Sequence, residues 1–224
     1  EECTVVDNAI TCPCAAGYED DGNGACVEIV APTSGVIISE VMYDAPNYGD
    51  WSEPADEWIE LYNGKSSTAE LTLWTLTDAQ GDTFTIPNAT AIDPGEYLIL
   101  TADVDSFNAR WNVGDAQVIA YDGSAMSLGN GGDLLILAND LGVAVDTVGY
   151  ESRTDDVFGD TAAELEAGPG QTIYRLDPTI NTGGREDWSA ADYPTPGSAP
   201  GTVATDCTNG LRDAGELCDP GVIG

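Results

Sequence analysis

Short apolar runs that alternate with polar residues recur along most of the chain. The clearest is Asp56-Glu57-Trp58-Ile59-Glu60-Leu61-Tyr62-Asn63, and its upstream neighbour is Val36-Ile37-Ile38-Ser39-Glu40-Val41-Met42-Tyr43. Both are rich in β-branched and aromatic residues, and the period of two predicts a half-buried strand in each case. In the first, Ile59 and Leu61 point one way, and Glu57 and Glu60 are expected on the polar edge and opposite face. Further runs at residues 71–77, 83–86, 96–101, 117–121, 133–137, 143–148 and 171–175 bring the number of predicted strands to nine. Turn signals separate them, including Asp78-Ala79-Gln80-Gly81, Asp93-Pro94-Gly95 and Asn139-Asp140-Leu141-Gly142. The last should close a hairpin. Helical periodicity is nearly absent, with brief candidates near residues 104–110 and 161–166. The pattern predicts an all-β sandwich or barrel.

Cysteines divide the chain. Cys3, Cys12, Cys14 and Cys26 precede the strand-rich body, Cys207 and Cys218 follow it, and none lies between. Even numbers of cysteines in Gly- and Asp-rich segments too small for a core predict disulfides, and with them an oxidising, extracellular or cell-surface setting. Three parts result: a disulfide-rich segment at 1–34 ending in the linker Ala31-Pro32-Thr33-Ser34-Gly35, a β-sandwich at 35–203, and a short cysteine-bearing tail at 204–224. No apolar run approaches bilayer length, so no membrane insertion is expected. The start is expected to be a mature N-terminus from which an export signal has been removed.

The body resembles the lamin tail domain. Carrying the likeness are Val36-Ile37-Ile38-Ser39-Glu40-Val41-Met42-Tyr43, Asp56-Glu57-Trp58-Ile59-Glu60-Leu61-Tyr62-Asn63 and Leu73-Trp74-Thr75-Leu76-Thr77-Asp78. Pro94-Gly95-Glu96-Tyr97-Leu98-Ile99-Leu100, Leu128-Gly129-Asn130-Gly131-Gly132-Asp133, Gly170-Gln171-Thr172-Ile173-Tyr174-Arg175, Asp187-Trp188 and Thr195-Pro196-Gly197 extend it in order to about residue 201. The resemblance implies an immunoglobulin-like β-sandwich in a secreted bacterial or archaeal protein. It would be a binding or structural accessory, sometimes joined to nucleases or other hydrolases, and no catalytic residues come with it.

Cys12-Pro13-Cys14-Ala15-Ala16-Gly17-Tyr18 with the closing Cys26 resembles the C-terminal half of an EGF-like module, with four cysteines in place of six. That likeness implies Cys3–Cys12 and Cys14–Cys26 bridges, among the three pairings four cysteines allow. Residues 206–219 resemble the short cysteine-rich repeats of myxobacterial surface proteins. A Cys207–Cys218 bridge would close a loop of about 12 residues, worth roughly 3 kcal/mol in the chain-entropy picture. Paired instead with a neighbouring molecule, the same cysteines would form a covalent link.

Charge narrows the partners. Forty acidic residues against six basic ones give a formal net charge of -34, although 42% of the chain is hydrophobic. Such a surface repels nucleic acid, whose phosphates require Lys and Arg. Two readings of it stand side by side: a carboxylate shell for solubility or life in salt, and specific binding of divalent cations. Calcium is the expected ion, from Asp44, Asp50, Glu53 and Asp56 between the first two strands, from Asp155, Asp156 and Asp160, or from Asp213, Glu216 and Asp219 in the tail. None of these fits an EF-hand loop, and each competes with a solvated acidic loop.

Catalysis has little to start from. The chain contains no histidine, which excludes Ser-His-Asp and Cys-His nucleophile systems of the usual kind and Cys2His2 zinc sites. The run Gly129-Asn130-Gly131-Gly132 precedes a strand and has no lysine, so it predicts a tight turn rather than a phosphate loop. Trp58 and Trp74 are expected in the core. Tyr48 and Trp51, in a non-periodic segment, are candidates for contact with a partner or a polysaccharide. The expectation is a non-enzymatic extracellular structural protein whose ends connect copies, by self-association head to tail into a filament. The alternatives are an adhesion module for polysaccharide or a surface partner, and an accessory domain of a larger secreted hydrolase.

Overall fold

In the computed structural model, residues 35–46, 49–121, 126–191 and 193–199 are described in full, and the backbone also at 4–6, 9–11, 18–20, 26–28 and 212–213. The chain divides into two units, Glu1–Pro32 and Thr33–Gly224. The first holds two antiparallel hairpins, β1 (Thr4–Val6) with β2 (Ala9–Thr11) and β3 (Tyr18–Asp20) with β4 (Cys26–Glu28). All six cysteine side chains, and the bridges expected of them, lie outside the described residues.

The second unit runs β5 (Val36–Met42), β6 (Trp58–Asn63), β7 (Ala69–Glu70), β8 (Thr75–Thr77), β9 (Thr83–Thr85), β10 (Ala91–Ile92) and β11 (Tyr97–Thr101). After these come α1 (Val104–Arg110), β12 (Trp111–Asn112), β13 (Gln117–Ala120), β14 (Gly132–Ala138), β15 (Ala144–Glu151) and α2 (Thr154–Phe158). The last elements are β16 (Thr172–Arg175), β17 (Trp188–Ala191) and β18 (Arg212–Asp213). Strands in the order β13-β11-β6-β5-β16-β17 form the larger sheet and β15-β14-β8-β9 the smaller one. Their apolar faces meet to form a β-sandwich. Ile38, Val41, Ile59, Leu61, Leu98, Leu100 and Ile173 come from one side, and Leu76, Leu135, Leu137 and Val148 from the other.

The turn signals close as expected. Gly81 N donates to Asp78 O, Glu96 N to Asp93 O, and Gly142 N to Asn139 O. Asn139 Oδ1 also accepts from Leu141 N and Val143 N, so one side chain pins the β14–β15 hairpin. The Gly129–Gly132 run likewise forms a turn, with Gly132 N on Gly129 O.

Three expectations fail, each for a visible reason. The larger sheet is covered on both faces, so β5 and β6 are not half-buried and Glu40, Glu57 and Glu60 are sealed at 1%, 2% and 1% exposure. A bulge at Ile38–Glu40 moves the core face of β5 from Val36 and Ile38 to Val41 and Tyr43, leaving Glu40 and Met42 on the second face. There Met42, Trp58 and Ile99 pack against Phe107 and Trp111 of the β11–β13 crossover, so Trp58 is buried in the core as expected, in this second cluster. The strand predicted from residue 71 begins only at Thr75, because Leu71 and Trp74 both turn inward around an exposed Leu73 at φ 64°.

The helix near 104–110 forms, capped by Asp103 Oδ1 accepting from Asp105 N and Ser106 N. The one near 161–166 does not, and a helix stands instead at Thr154–Phe158. The backbone of 161–166 is instead held by tertiary hydrogen bonds. Arg185 donates to Ala163 O and Glu164 O, and Glu151 N donates to Leu165 O.

Candidate functional site

The long connection between β5 and β6 is organised by Asp56, which is buried. Its Oδ2 accepts from Ser52 N at 2.7 Å, and its Oδ1 accepts from Ser106 Oγ at 2.6 Å and from Arg110 Nε at 3.4 Å. The connection is thereby tied to α1. Arg110 also meets Asp50 at 2.8 Å and lies over the Trp51 ring at 4.7 Å from its centroid. That guanidinium holds the Asp50 carboxyl below its ordinary value. Trp51 packs edge-on against Trp111 as well. Asp50, Asp56 and Trp51 thus belong to one clamp around Arg110, and Tyr48 lies outside the described residues.

Asp44 and Glu53 take a different direction. Both accept from Asn130 Nδ2 in the turn before β14, Asp44 through Oδ1 at 3.3 Å and Glu53 through its two oxygens at 3.0 and 3.1 Å. The two carboxyls are also in hydrogen-bond contact with each other. Burial first, then that contact, pushes Asp44 up to about 6. The recess they line is shared with Ala45, Pro46, Trp51, Ser52 and Asn130. Glu57 is close by and almost inaccessible, with Leu128 N donating to its Oε2 at 3.3 Å. Its pKa is raised to about 8, by burial first and then by the charges of Glu53, Asp44 and Asp133. The sequence pointed to Asp44 and Glu53 but not to Glu57, whose place in the run of strand residues disguised it.

Glu57 has neighbours that no pattern announced. The hydroxyls of Tyr121 and Tyr150 are buried and have no hydrogen-bond partner among the described residues. Burial and the Glu57 carboxylate push both above the ordinary phenol range, and Asp133 adds to the effect at Tyr150. The Tyr150 ring stacks on Tyr43 at 4.1 Å.

Along the same edge, Tyr43 Oη donates to Glu151 Oε1, and Glu151, Glu164 and Glu166 place carboxylate oxygens within 4.8 Å of one another. Asp155 and Asp160 line a shallow recess with Glu151 and Glu164, while Asp156 pairs with Arg153 at 3.0 Å. Of the tail residues, Asp213 is described only as backbone in β18, and Glu216 and Asp219 lie outside the described residues.

A second acidic group is wholly interior. Glu40 and Glu60 are cross-strand partners in β5 and β6. Glu40 accepts from Thr172 Oγ1, Thr195 N and Thr195 Oγ1, and Glu60 accepts from Ser39 Oγ and Gly197 N, all at 2.6–2.9 Å. Residues 195–197 therefore cap the pair and close it to any substrate.

The pattern of the Lamin Tail Domain matches residues 30–152 of the chain. The chain belongs to the lamin tail domain family. No curated protein matches it. The lamin tail match covers the strands from β5 through β15, and β16 and β17 continue the larger sheet beyond it. The lamin tail domain is an immunoglobulin-like sandwich, a fold of structural and binding modules. The two carboxylate groups read most simply in those terms: Glu40 and Glu60 are part of the frame, and Asp44 and Glu53 line an open, polar recess.

Proposed function

We propose that the protein is a non-enzymatic extracellular structural subunit of a cell surface or matrix. The lamin tail sandwich is its rigid body, and the cysteine-bearing ends are connectors through which copies associate head to tail. The observation that carries this reading is the pairing of β18 with β12. The tail backbone at Arg212–Asp213 adds in parallel to Trp111–Asn112, next to α1. Main-chain pairing of a tail segment with a short strand is the chemistry of strand addition, and the same segment can serve a neighbouring copy. Contact of that kind between different surfaces of successive copies does not close on itself and propagates. The EGF-like segment and the cysteine-rich tail, with their even cysteines, fit an oxidising exterior.

Light scattering and electron microscopy of the full chain, with and without calcium, test the assembly. Concentration-dependent oligomers or filaments that vanish on truncation after residue 203 are the expected result. A full chain that stays monomeric at every salt and calcium concentration would overturn it.

A further inference from the structure

We propose that the outward face of the smaller sheet is a docking surface for a second copy of this chain, the two faces packing together about a two-fold axis. The inference uses neither the cysteine-bearing ends nor β18, so it is separate from head-to-tail association.

Register defines the face. In β15, β14, β8 and β9 the inward positions carry Val148, Leu135, Leu137, Leu76 and Phe84. The residues between them alternate outward. One outward row across the four strands reads Thr147, Ile136, Thr77 and Thr83, and the next reads Ala144, Ala138, Thr75 and Thr85. The Thr77 and Thr83 hydroxyls meet at 2.9 Å in an exposed pair, which places both on the solvent side.

No carboxylate stands on either row, in a chain with forty acidic residues and a net charge of -34. The four strands hold three acids between them. Asp133 and Asp146 occupy inward positions at 0% and 7% exposure, and Glu151 ends β15 bonded to the Tyr43 hydroxyl. That inverts the usual half-solvated sheet, which buries its apolar side chains and shows its polar ones.

The charge pattern names the occupant. Carboxylates on a face are compatible with a neutral partner and favour a cationic one. They oppose a partner as acidic as the chain itself, because like charges set against each other are costly. A face cleared of charge therefore suits a second copy. A two-fold contact also sets the same patch against itself. Ionised carboxylates only accept hydrogen bonds and cannot pair with their like, whereas threonine hydroxyls both donate and accept.

A second observation comes from the apolar surface. Five large apolar side chains are exposed among the described residues, and Leu73, Leu141 and Val143 are three of them. Ala138 lies opposite both Thr75 and Ala144, so the 139–143 hairpin and Leu73 follow at the same end of this sheet. Leu73 is held there at φ 64°, a backbone state that is costly for a bulky residue. Strands about 4.8 Å apart give each copy a face of roughly 300 Å² in projection, at the small end of protein interfaces, so a reversible dimer is expected.

Sedimentation equilibrium of the full chain at about 100 µM, from about 0.1 to about 1 M NaCl, tests the pairing. Screening shortens from about 10 Å to about 3 Å across that range, so the dimer should tighten as salt rises. Thr83→Glu with Thr85→Glu puts two charges on exposed positions of the edge strand β9 and should loosen the dimer at least tenfold at each salt. Ser66→Glu with Ser67→Glu adds the same charge in the exposed connection after β6 and should change it less than twofold. Circular dichroism of both variants should match the parent. Failure of head-to-tail association leaves a dimer and nothing larger. Failure of the face gives a monomer at high salt, or association that the two β9 glutamates do not alter, and either result overturns the proposal. So does association that weakens as salt rises. A monomer retained on insoluble polysaccharide through the same face also overturns it, and assigns the face to a glycan.

Discussion

Glu40 and Glu60 face each other across β5 and β6 of the larger sheet, each about 1% exposed and neither beside a basic side chain among the described residues. Five donors converge on them, from Ser39, Thr172, Thr195 and Gly197, and they satisfy the oxygens without neutralising the charge. Burial pushes Glu40 up to about 7 against the hydrogen bonds from Thr172 and Thr195. Glu60 goes well above the ordinary range, through burial and then the Glu40 charge. One proton shared between them is the economical state at neutral pH.

A pH dependence follows, with a definite sign. The folded state holds protons on this pair that the unfolded chain releases near 4.5, so folding binds protons between that value and about 7. The stability the pair supports is complete at the acid end of that window and is lost as pH rises through it. For Glu40 alone the loss amounts to about 3 kcal/mol. Urea midpoints measured from pH 5 to 8 should fall with pH, and the fall should flatten in Glu40→Gln. A slope identical in the variant and the parent would show that other carboxylates cause it.

Arg175 is the inverse case, a buried cation with every partner supplied. It meets Asp146 at 2.7 Å and Asp187 at 3.2 Å, donates from Nε to Ile38 O, and lies over the Trp188 ring at 4.5 Å. Asp146, on the smaller sheet, accepts in turn from Ile38 N at 2.8 Å. Both backbone groups of Ile38 beside the bulge are therefore satisfied by one ion pair that joins the two sheets. Arg175→Met should destabilise by about 3–5 kcal/mol, because Asp146 and Ile38 O stay buried without their partner. Arg175→Met with Asp146→Leu should recover part of that loss. Chemical denaturation of the three variants gives the coupling, and strict additivity would contradict it.

The strands and the tight turns were legible because they follow from local rules. Asn139 and Gly142 carry their hairpin in four residues. The larger corrections come from long-range effects that no window contains. Glu60 looks like a solvent-facing strand residue until residues 195–197 fold over it, more than a hundred positions later. The bulge that reverses the inward face of β5 lies beside Ile38, whose backbone groups bond Asp146 and Arg175 more than a hundred positions away. Residues 161–166 have a composition suited to helix, but their backbone is bonded to Arg185, far along the chain, rather than coiled. At the acidic mouth, Asp44 and Glu53 stood out as loop acids. Asp50 and Asp56 looked the same on paper, and only the arrival of Arg110 from α1 separates the two pairs.

That separation can be tested at Arg110 itself. Arg110→Ala removes the partner of buried Asp56 and exposed Asp50 and uncovers one face of Trp51. The expected cost is about 1–3 kcal/mol, chiefly from the unpaired Asp56. The tryptophan emission should move to longer wavelength as Trp51 meets water. A loss of stability without that spectral shift would mean that Trp51 is held by Trp111 alone.

Two glycines with nearly the same backbone twist should respond differently to alanine. Gly142 in the β14–β15 hairpin has φ 73° and Gly197 has φ 76°, so each carries the penalty of a side chain in the left-handed region, about 1–2 kcal/mol. Around Gly142 a new methyl meets nothing within 4 Å. At Gly197 it would lie 2.9 Å from Val113 Cβ and 3.0 Å from Val113 O, closer than packed atoms tolerate. Relief requires residues 195–197 to lift, and lifting withdraws the Gly197 N–H from Glu60 Oε2. Gly142→Ala should therefore lower the urea midpoint by the conformational term only and leave its pH dependence unaltered. Gly197→Ala should lower it further and change the slope between pH 5 and 8, because the Glu40–Glu60 pair loses a donor and gains access to water. Equal losses and equal slopes in the two variants would show that the cap does not govern the protonation of the pair.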